Sequence, residues 1–433
     1  MVSLSARGQK KVKVMDKPIG SLAPYKILDL CSESGELCGK WLADLGAEVI
    51  KIDPTDSDGR TGSLESAQSH KSDSNLGWRF MNMGKQSITL NLETESGRDL
   101  FRLLVKQSDA VIESYPSGWM DKRGIGFSDL IKENPQLVFT SISPFGRTGP
   151  YANYSASDLV ISALSGMMHV TGDKDRPPVR VSVPQTYLHG SAEGGVNTAI
   201  ALYHAAKTGQ GQHVDVSSQL ATIRALMNAT QFPPLEGRNL QRSGANMEMG
   251  PAKWQMVFQA KDGHVCIMLA GGALGGTTIE GFLKWASEDG MEIPKELTDI
   301  DWKEIQIMAL LFDEEKRKLL DKVSEIFNKF FPLHTKDELY ERALKNRLLL
   351  APVCTVADIR DDIQLEARNY FTPVEEASGE TVHYPGAWAK LSKTPLNTNR
   401  RAPLIGEHNE VIYKNNLGIS REELIELVEA GEV

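Results

Sequence analysis

At 433 residues, with 41% hydrophobic and 24% charged side chains, the chain is long enough for two cores and too apolar for disorder. A formal net charge of −9 leaves no basic surplus to neutralise phosphates, which argues against a nucleic-acid partner but permits a local basic pocket. No apolar run approaches the ~20 residues that cross a bilayer, so no membrane partner is expected.

The first segment, Met1–Lys17, is basic without an apolar stretch behind it and reads as a loose leader, not a secretory signal. Tyr25–Asp29 (YKILD) is a short strand, Lys40–Leu45 is helical, and Ala47–Ile52 is a second strand. Strand, helix and strand in about thirty residues make a βαβ unit, which requires a parallel sheet. The alternation continues through a strand at Ser87–Leu92, an amphipathic helix at Glu95–Gln107, and strands at Ala110–Glu113 and Leu137–Ile142. This pattern predicts an α/β domain with helices on both faces of the sheet. Glu193–Lys207 fits a helix ending at Gly209, His213–Ser217 is a strand, and Pro233, Pro234 and Gly237 mark a linker. Beyond it the composition shifts to one clear strand, His264–Leu269, and charged helices such as Glu314–Phe330. The expected division is a large domain over 18–231, a smaller α+β domain over 232–350, and a C-terminal segment, 351–433, returning to the first.

Generic signatures are nearly silent. There is no P-loop, HExxH, GxSxG or GxGxxG fingerprint. Gly271–Gly276 (GGALGG) follows a strand and reads either as a phosphate cradle or as a flexible cover over a site. The nine histidines are scattered, so no metal site is expected. Cys31, Cys38, Cys266 and Cys354 form no CxxC pair and read as the reduced thiols of a cytoplasmic protein. Asp158 stands between a loop and an apolar helical segment, where a carboxylate is either a helix cap or a reactive group.

Several segments resemble the CaiB/BaiF family of class III CoA-transferases. They are Leu42–Asp53 (LADLGAEVIKID), Asn82–Leu90 (NMGKQSITL), Asp109–Gly118 (DAVIESYPSG), Asn134–Tyr151 (NPQLVFTSISPFGRTGPY), Thr208–Ser217 (TGQGQHVDVS) and Arg401–His408 (RAPLIGEH). They occur in the family's order and spread the resemblance from Tyr25 to Leu417. The resemblance implies a Rossmann-like large domain with an inserted smaller domain, and two chains interlocked as linked rings. It also implies an enzyme that moves CoA from an acyl-CoA to a free carboxylic acid, with CoA as substrate and no tightly bound cofactor.

The family's nucleophile aligns with Asp158, which would form a mixed anhydride with the acyl group and then an aspartyl-CoA thioester. The implied CoA contacts are Asp53, Lys85, Leu90, Ser114, Tyr115, Lys122, Arg123 and Ser143. Two departures stand out: Pro54 replaces the basic residue that usually follows Asp53, and Ser114-Tyr115 replaces Asn-Phe. Lys122 and Arg123 read either as phosphate partners or as a solvated surface pair. Backbone N–H groups near the glycine-containing loops are the expected oxyanion stabilisers. Arg176 and Arg180 suit a second carboxylate, which suggests succinyl-CoA as donor and an aryl- or alkyl-substituted acid as acceptor. A heteromer with a related subunit is the alternative to a homodimer. The family's racemase branch is disfavoured, because Ser157 and Val183-Pro184 stand where proton-shuttling residues are needed.

Overall fold

The computed structural model describes residues 20–55, 76–227, 229–269, 272–306 and 308–433. The leader Met1–Lys17 and Gly271 lie outside the described residues. The chain forms two compact units. One runs through Ser165 and takes in Ser182–Met227 and Glu366–Val433; the other comprises Gly166–Val181 and Asn228–Leu365.

In the first unit the elements are β1 (Lys26–Leu30), α1 (Glu36–Asp44), β2 (Glu48–Asp53), α2 (Leu76–Asn82), β3 (Gln86–Thr89) and α3 (Glu95–Val105). They continue as β4 (Ala110–Glu113), α4 (Phe127–Glu133), β5 (Val138–Ser143), α5 (Asp158–Leu164), α6 (Gln185–Thr208), β6 (His213–Ser217) and α7 (Ser218–Ala225). The strands form one sheet in the order β3-β2-β1-β4-β5-β6. Every pairing is parallel, with Ile27 opposite both Val49 and Ala110. This is the doubly wound order, in which ligands bind outside the carboxyl ends of the strands where the winding reverses, here between β1 and β4.

Strands covered on both faces should be apolar along their whole length, and AVIE of β4 and VFTSIS of β5 are buried throughout. Side chains alternate between two cores. Leu28, Ile50, Val111 and Phe139 face one, while Ile27, Val49, Ile112 and Val138 face the other. The first core is closed by α3, whose Leu100, Phe101, Leu104 and Val105 are buried and whose N-terminus is capped by Thr94. Against the second lies α6. A Cβ on its Gly194 would stand 2.7 Å from Ile142 Cδ1, so glycine permits the close approach of helix to β5.

The sequence places the start of α6 at Glu193, but the helix begins two turns earlier. Pro184 precedes its first residue, a position where proline costs no hydrogen bond.

The second unit contains the hairpin β7 (Asn246–Met249) and β8 (Ala252–Gln255), then β9 (Val257–Ala260) and β10 (Gly263–Ile267). Helices α8 (Gly272–Glu288), α9 (Glu314–Phe330) and α10 (Lys336–Asn346) follow, and β11 (Leu350–Pro352) pairs with β10. That pairing holds the chain in this unit past residue 350, and the unit extends to Leu365. Its core is a knot of rings from Phe258, Phe282, Trp285, Phe327, Phe330 and Phe331. Of the glycines read as a cradle or cover, the described ones, Gly272, Gly275 and Gly276, lie in the first turns of α8. A Cβ on Gly276 would lie 2.4 Å from the Trp302 carbonyl carbon, so this glycine serves packing.

The C-terminal segment adds the hairpin β12 (Phe371–Glu375) and β13 (Thr381–Pro385), then α11 (Asn409–Leu417) and α12 (Arg421–Glu429). Asn409 bonds the Thr89 N–H at 2.9 Å and the Thr89 hydroxyl at 2.7 Å, while Tyr413 donates to the Thr89 carbonyl at 2.7 Å. The outer edge of β3 is thereby covered. Among the described residues no helix is long and apolar enough to cross a membrane.

Candidate active site

Asp158 is the first residue of α5, in the connection that leaves the carboxyl end of β5. It is 8% exposed. Its Oδ1 accepts hydrogen bonds from the Thr186 N–H at 2.9 Å and the Thr186 hydroxyl at 2.8 Å. Its own N–H donates to the Tyr187 hydroxyl at 3.1 Å. Thr186 is fully buried in the first turn of α6, where backbone N–H groups have no partner inside the helix.

The carboxylate therefore does cap a helix, but α6 and not α5, and it lies at the positive end of the α6 dipole. Capping and reactivity are thus compatible. Among the described residues no hydrogen bond reaches Oδ2, so one oxygen is anchored and the other is open.

The residues expected to meet CoA divide by burial. Ser114 and Tyr115 follow β4 at the point where the winding of the sheet reverses, and both are partly exposed. The Ser114 hydroxyl accepts from the Ser32 N–H at 2.8 Å, joining the carboxyl ends of β1 and β4. Tyr115 stacks on Trp119 with ring centres 3.9 Å apart. Burial and the neighbouring Glu113 carboxylate hold its hydroxyl above the usual phenol range. Lys122 is exposed.

Lys85 is placed differently. Its side chain is fully buried, and its ammonium donates to Asp29 at 2.7 Å, to Asn82 Oδ1 at 2.9 Å and to the Glu36 carbonyl at 2.9 Å. All three of its protons are committed, so it has none for a phosphate. Burial opposes the charge on Asp29, but Lys85 and Lys51 outweigh it and lower the carboxyl pKa. Burial likewise opposes the charge on Lys51, and Asp53, Glu36 and Asp29 override it upward.

Arg123 is also engaged within the protein. It holds Glu93 through two 2.7 Å contacts and lies 3.7 Å over the Trp119 ring. Asp53 is buried and accepts from the Ser87 hydroxyl at 2.8 Å. Leu90 is a core residue, and Ser143 is buried with its Oγ accepting from the Gly146 N–H at 3.0 Å. Arg176 and Arg180 are both exposed in the second unit. Thr186 and Tyr187 were not legible as site residues, although Pro184 just ahead of them is a helix-start signal.

This sheet order is that of nucleotide- and coenzyme-binding α/β proteins. Within that class, the family model of CoA-transferase family III matches residues 22–409, and the chain belongs to that family. It is an enzyme of that class. The chain is 33% identical over 391 residues to succinyl-CoA:(R)-benzylsuccinate CoA-transferase subunit BbsE of Thauera aromatica, covering 90% of this chain and 92% of that protein. It is 28% identical over 398 residues to succinyl-CoA:mesaconate CoA-transferase of Haloarcula hispanica, covering 90% and 95%. A crystal structure of a CaiB/BaiF family protein from Brucella suis is similar at a TM-score of 0.74 and 27% identity, covering 92% of this chain and all of that one.

Proposed function

We propose that this transferase carries acyl groups covalently on Asp158, with succinyl-CoA as donor and an aryl- or alkyl-substituted carboxylic acid as acceptor. The observation that carries the mechanism is the asymmetric carboxylate: Oδ1 held by two donors of Thr186, Oδ2 with no hydrogen bond from the described residues. Oδ2 attacks the donor carbonyl and expels CoA thiolate, giving a mixed anhydride. The thiolate adds to the Asp158 carbonyl, and the donor acid leaves with the bridging oxygen. The acceptor carboxylate then opens the aspartyl thioester, releasing thiolate, which takes the new acyl group and frees Asp158.

Each addition at the Asp158 carbonyl places full negative charge on Oδ1. The N–H and O–H of Thr186 are already aimed at that atom, so they stabilise the charge as it develops. Asp158 is nearly buried, which limits the water able to hydrolyse the anhydride. Succinyl-CoA as donor is supported by the named activities of the benzylsuccinate and mesaconate relatives. Ser114, Tyr115 and Lys122 are the CoA contacts favoured by their exposure, with Arg180→Ala the test of a cation for the second carboxylate.

In this reading the second unit is the family's inserted domain, and the enzyme works in the cytoplasm as an interlocked dimer. An exposed apolar stripe on α6 (Val196, Ile200 and Tyr203) supports a covered face. A heteromer is the second reading, because some relatives are named as subunits. A second chain of similar size co-purifying from the native host would favour it.

Acceptor acid labelled with ¹⁸O in its carboxylate tests the mechanism. One labelled oxygen should remain on Asp158 after a turnover and appear in the donor acid released by the next. Released acid free of label would exclude the aspartyl anhydride.

A further inference from the structure

Between β5 and Asp158 the chain runs through an irregular connection, residues 144–157, and its first turn is gripped from three sides by one residue. The Arg147 N–H donates to both carboxylate oxygens of Asp215 on β6, at 3.1 and 3.0 Å. Its guanidinium donates through Nη1 to Glu113 Oε1, at the end of β4, at 3.2 Å, and through Nη2 to Asp121. Glu113 is fully buried. Its other oxygen accepts from the Tyr115 N–H at 2.6 Å. A buried carboxylate with a cationic partner on a loop is costly unless that loop stays in place.

Rings carry the fixed point onward. Phe145 meets Tyr151 edge-on at 5.7 Å, and Tyr151 stacks on Tyr154 at 5.2 Å. Tyr154 is four residues from Asp158, so their Cα atoms are at most about 15 Å apart. At the far end the Asp158 N–H is held by Tyr187.

We propose that Arg147, clamped by Glu113, is a positioning residue that fixes the base of the connection presenting Asp158. The inference rests on the reading of Asp158 as the acyl carrier.

The groups facing Glu113 are Arg147 on the connection, Asp121 on the turn after β4, the Tyr115 backbone, and Ser141 on β5. The Ser141 hydroxyl also bonds His213 Nε2 at 3.0 Å, and burial and Arg147 hold that imidazole below its usual pKa. Burial pushes the Glu113 carboxyl up to about 7, with Ser141 and Arg147 opposing the shift. The carboxylate grips the guanidinium by charge and the neutral acid does not. The clamp therefore tightens as pH rises through neutrality.

The test is the rate at which succinyl-CoA makes Asp158 reducible by borohydride, followed from pH 6 to 8.5 with the donor KM measured alongside. Wild type should show a rate that rises with an inflection near 7. Glu113→Gln, the same shape without a titrating proton, should be flat and lie at the wild-type acid-side level. Arg147→Met should label Asp158 more than tenfold slower at unchanged donor KM, and Arg147→Lys should recover part of the loss. An inflection that survives in Glu113→Gln, or wild-type labelling in Arg147→Met, would overturn the clamp. Wild type that no donor labels would instead remove the reading of Asp158 on which the clamp depends.

Discussion

Thr186→Val isolates one hydrogen bond to the proposed acyl carrier. The substitution replaces a hydroxyl by a methyl at a fully buried site, and it leaves the 2.9 Å bond from the Thr186 N–H to Asp158 in place. What is lost is the 2.8 Å bond from the hydroxyl to Oδ1. A hydrogen bond to a charged acceptor is worth about 1.5–3 kcal/mol, and removing one donor from an oxyanion costs about 10²–10³ in rate. Here the donor already serves the resting carboxylate, where Oδ1 shares the charge with Oδ2. Only the increase on going to the tetrahedral adduct accelerates the reaction. We therefore expect kcat to fall about 10- to 100-fold, or about 1.4–2.8 kcal/mol in the barrier. Donor KM should move less than about threefold, because the hydroxyl bonds Asp158 and not the donor, and its bond strengthens only as charge builds. Initial rates with succinyl-CoA at saturating acceptor, checked against a thermal melt for folding, read this directly. A folded variant with kcat within about twofold of wild type would refute the assignment of Thr186 to the oxyanion.

Lys85→Met should destabilise the protein by about 3–5 kcal/mol in urea unfolding, because it leaves Asp29 charged and buried. A stable variant with raised acyl-CoA KM would restore Lys85 as a ligand contact. Lys122→Ala should leave folding intact and raise the acyl-CoA KM about 2- to 5-fold at low salt, less at high salt, as an exposed charge would; a KM independent of salt would count against phosphate contact. Glu113 sets a pH dependence of stability. Its carboxyl titrates near 7 when folded and near the ordinary 4.5 when unfolded. Between those values the native state binds more protons than the unfolded state, so stability falls as pH rises, by roughly 3 kcal/mol overall. Glu113→Gln should flatten that part of the curve, and an unchanged slope would show that another group is responsible.

Ala110–Glu113 is legible because burial on both faces forces a short apolar run, and the edge strand His213–Ser217 is legible through its alternate Val214 and Val216; both have the bounds read from sequence. The start of α6 is not legible because Gln185–Gly190 carries little apolar periodicity. The helix is held there by Asp158, twenty-eight residues away in sequence. The surroundings of Lys85 are hidden for the same reason, since its partner Asp29 lies on β1, fifty-six residues upstream. A lysine in a family motif looks like a ligand contact until the sheet register shows that a carboxylate fills its reach. Arg147 lies inside the segment Asn134–Tyr151, and only the folded sheet brings Glu113, Asp121 and Asp215 around it. In the second unit the short strands β7 (NMEM), β8 (AKWQ) and β9 (VFQA) are not legible, because polar residues break up runs of only four positions, where AVIE of β4 opens on three apolar residues.

The central claim is that Asp158 carries the acyl group and then CoA. The most direct measurement is to incubate the protein with acyl-CoA thioesters, reduce with borohydride, and take peptide masses. The account predicts that succinyl-CoA converts Asp158 to the reduced alcohol at that single site, and that Asp158→Asn shows no change. A wild-type protein that binds CoA thioesters, turns them over, and never becomes reducible at Asp158 would contradict it.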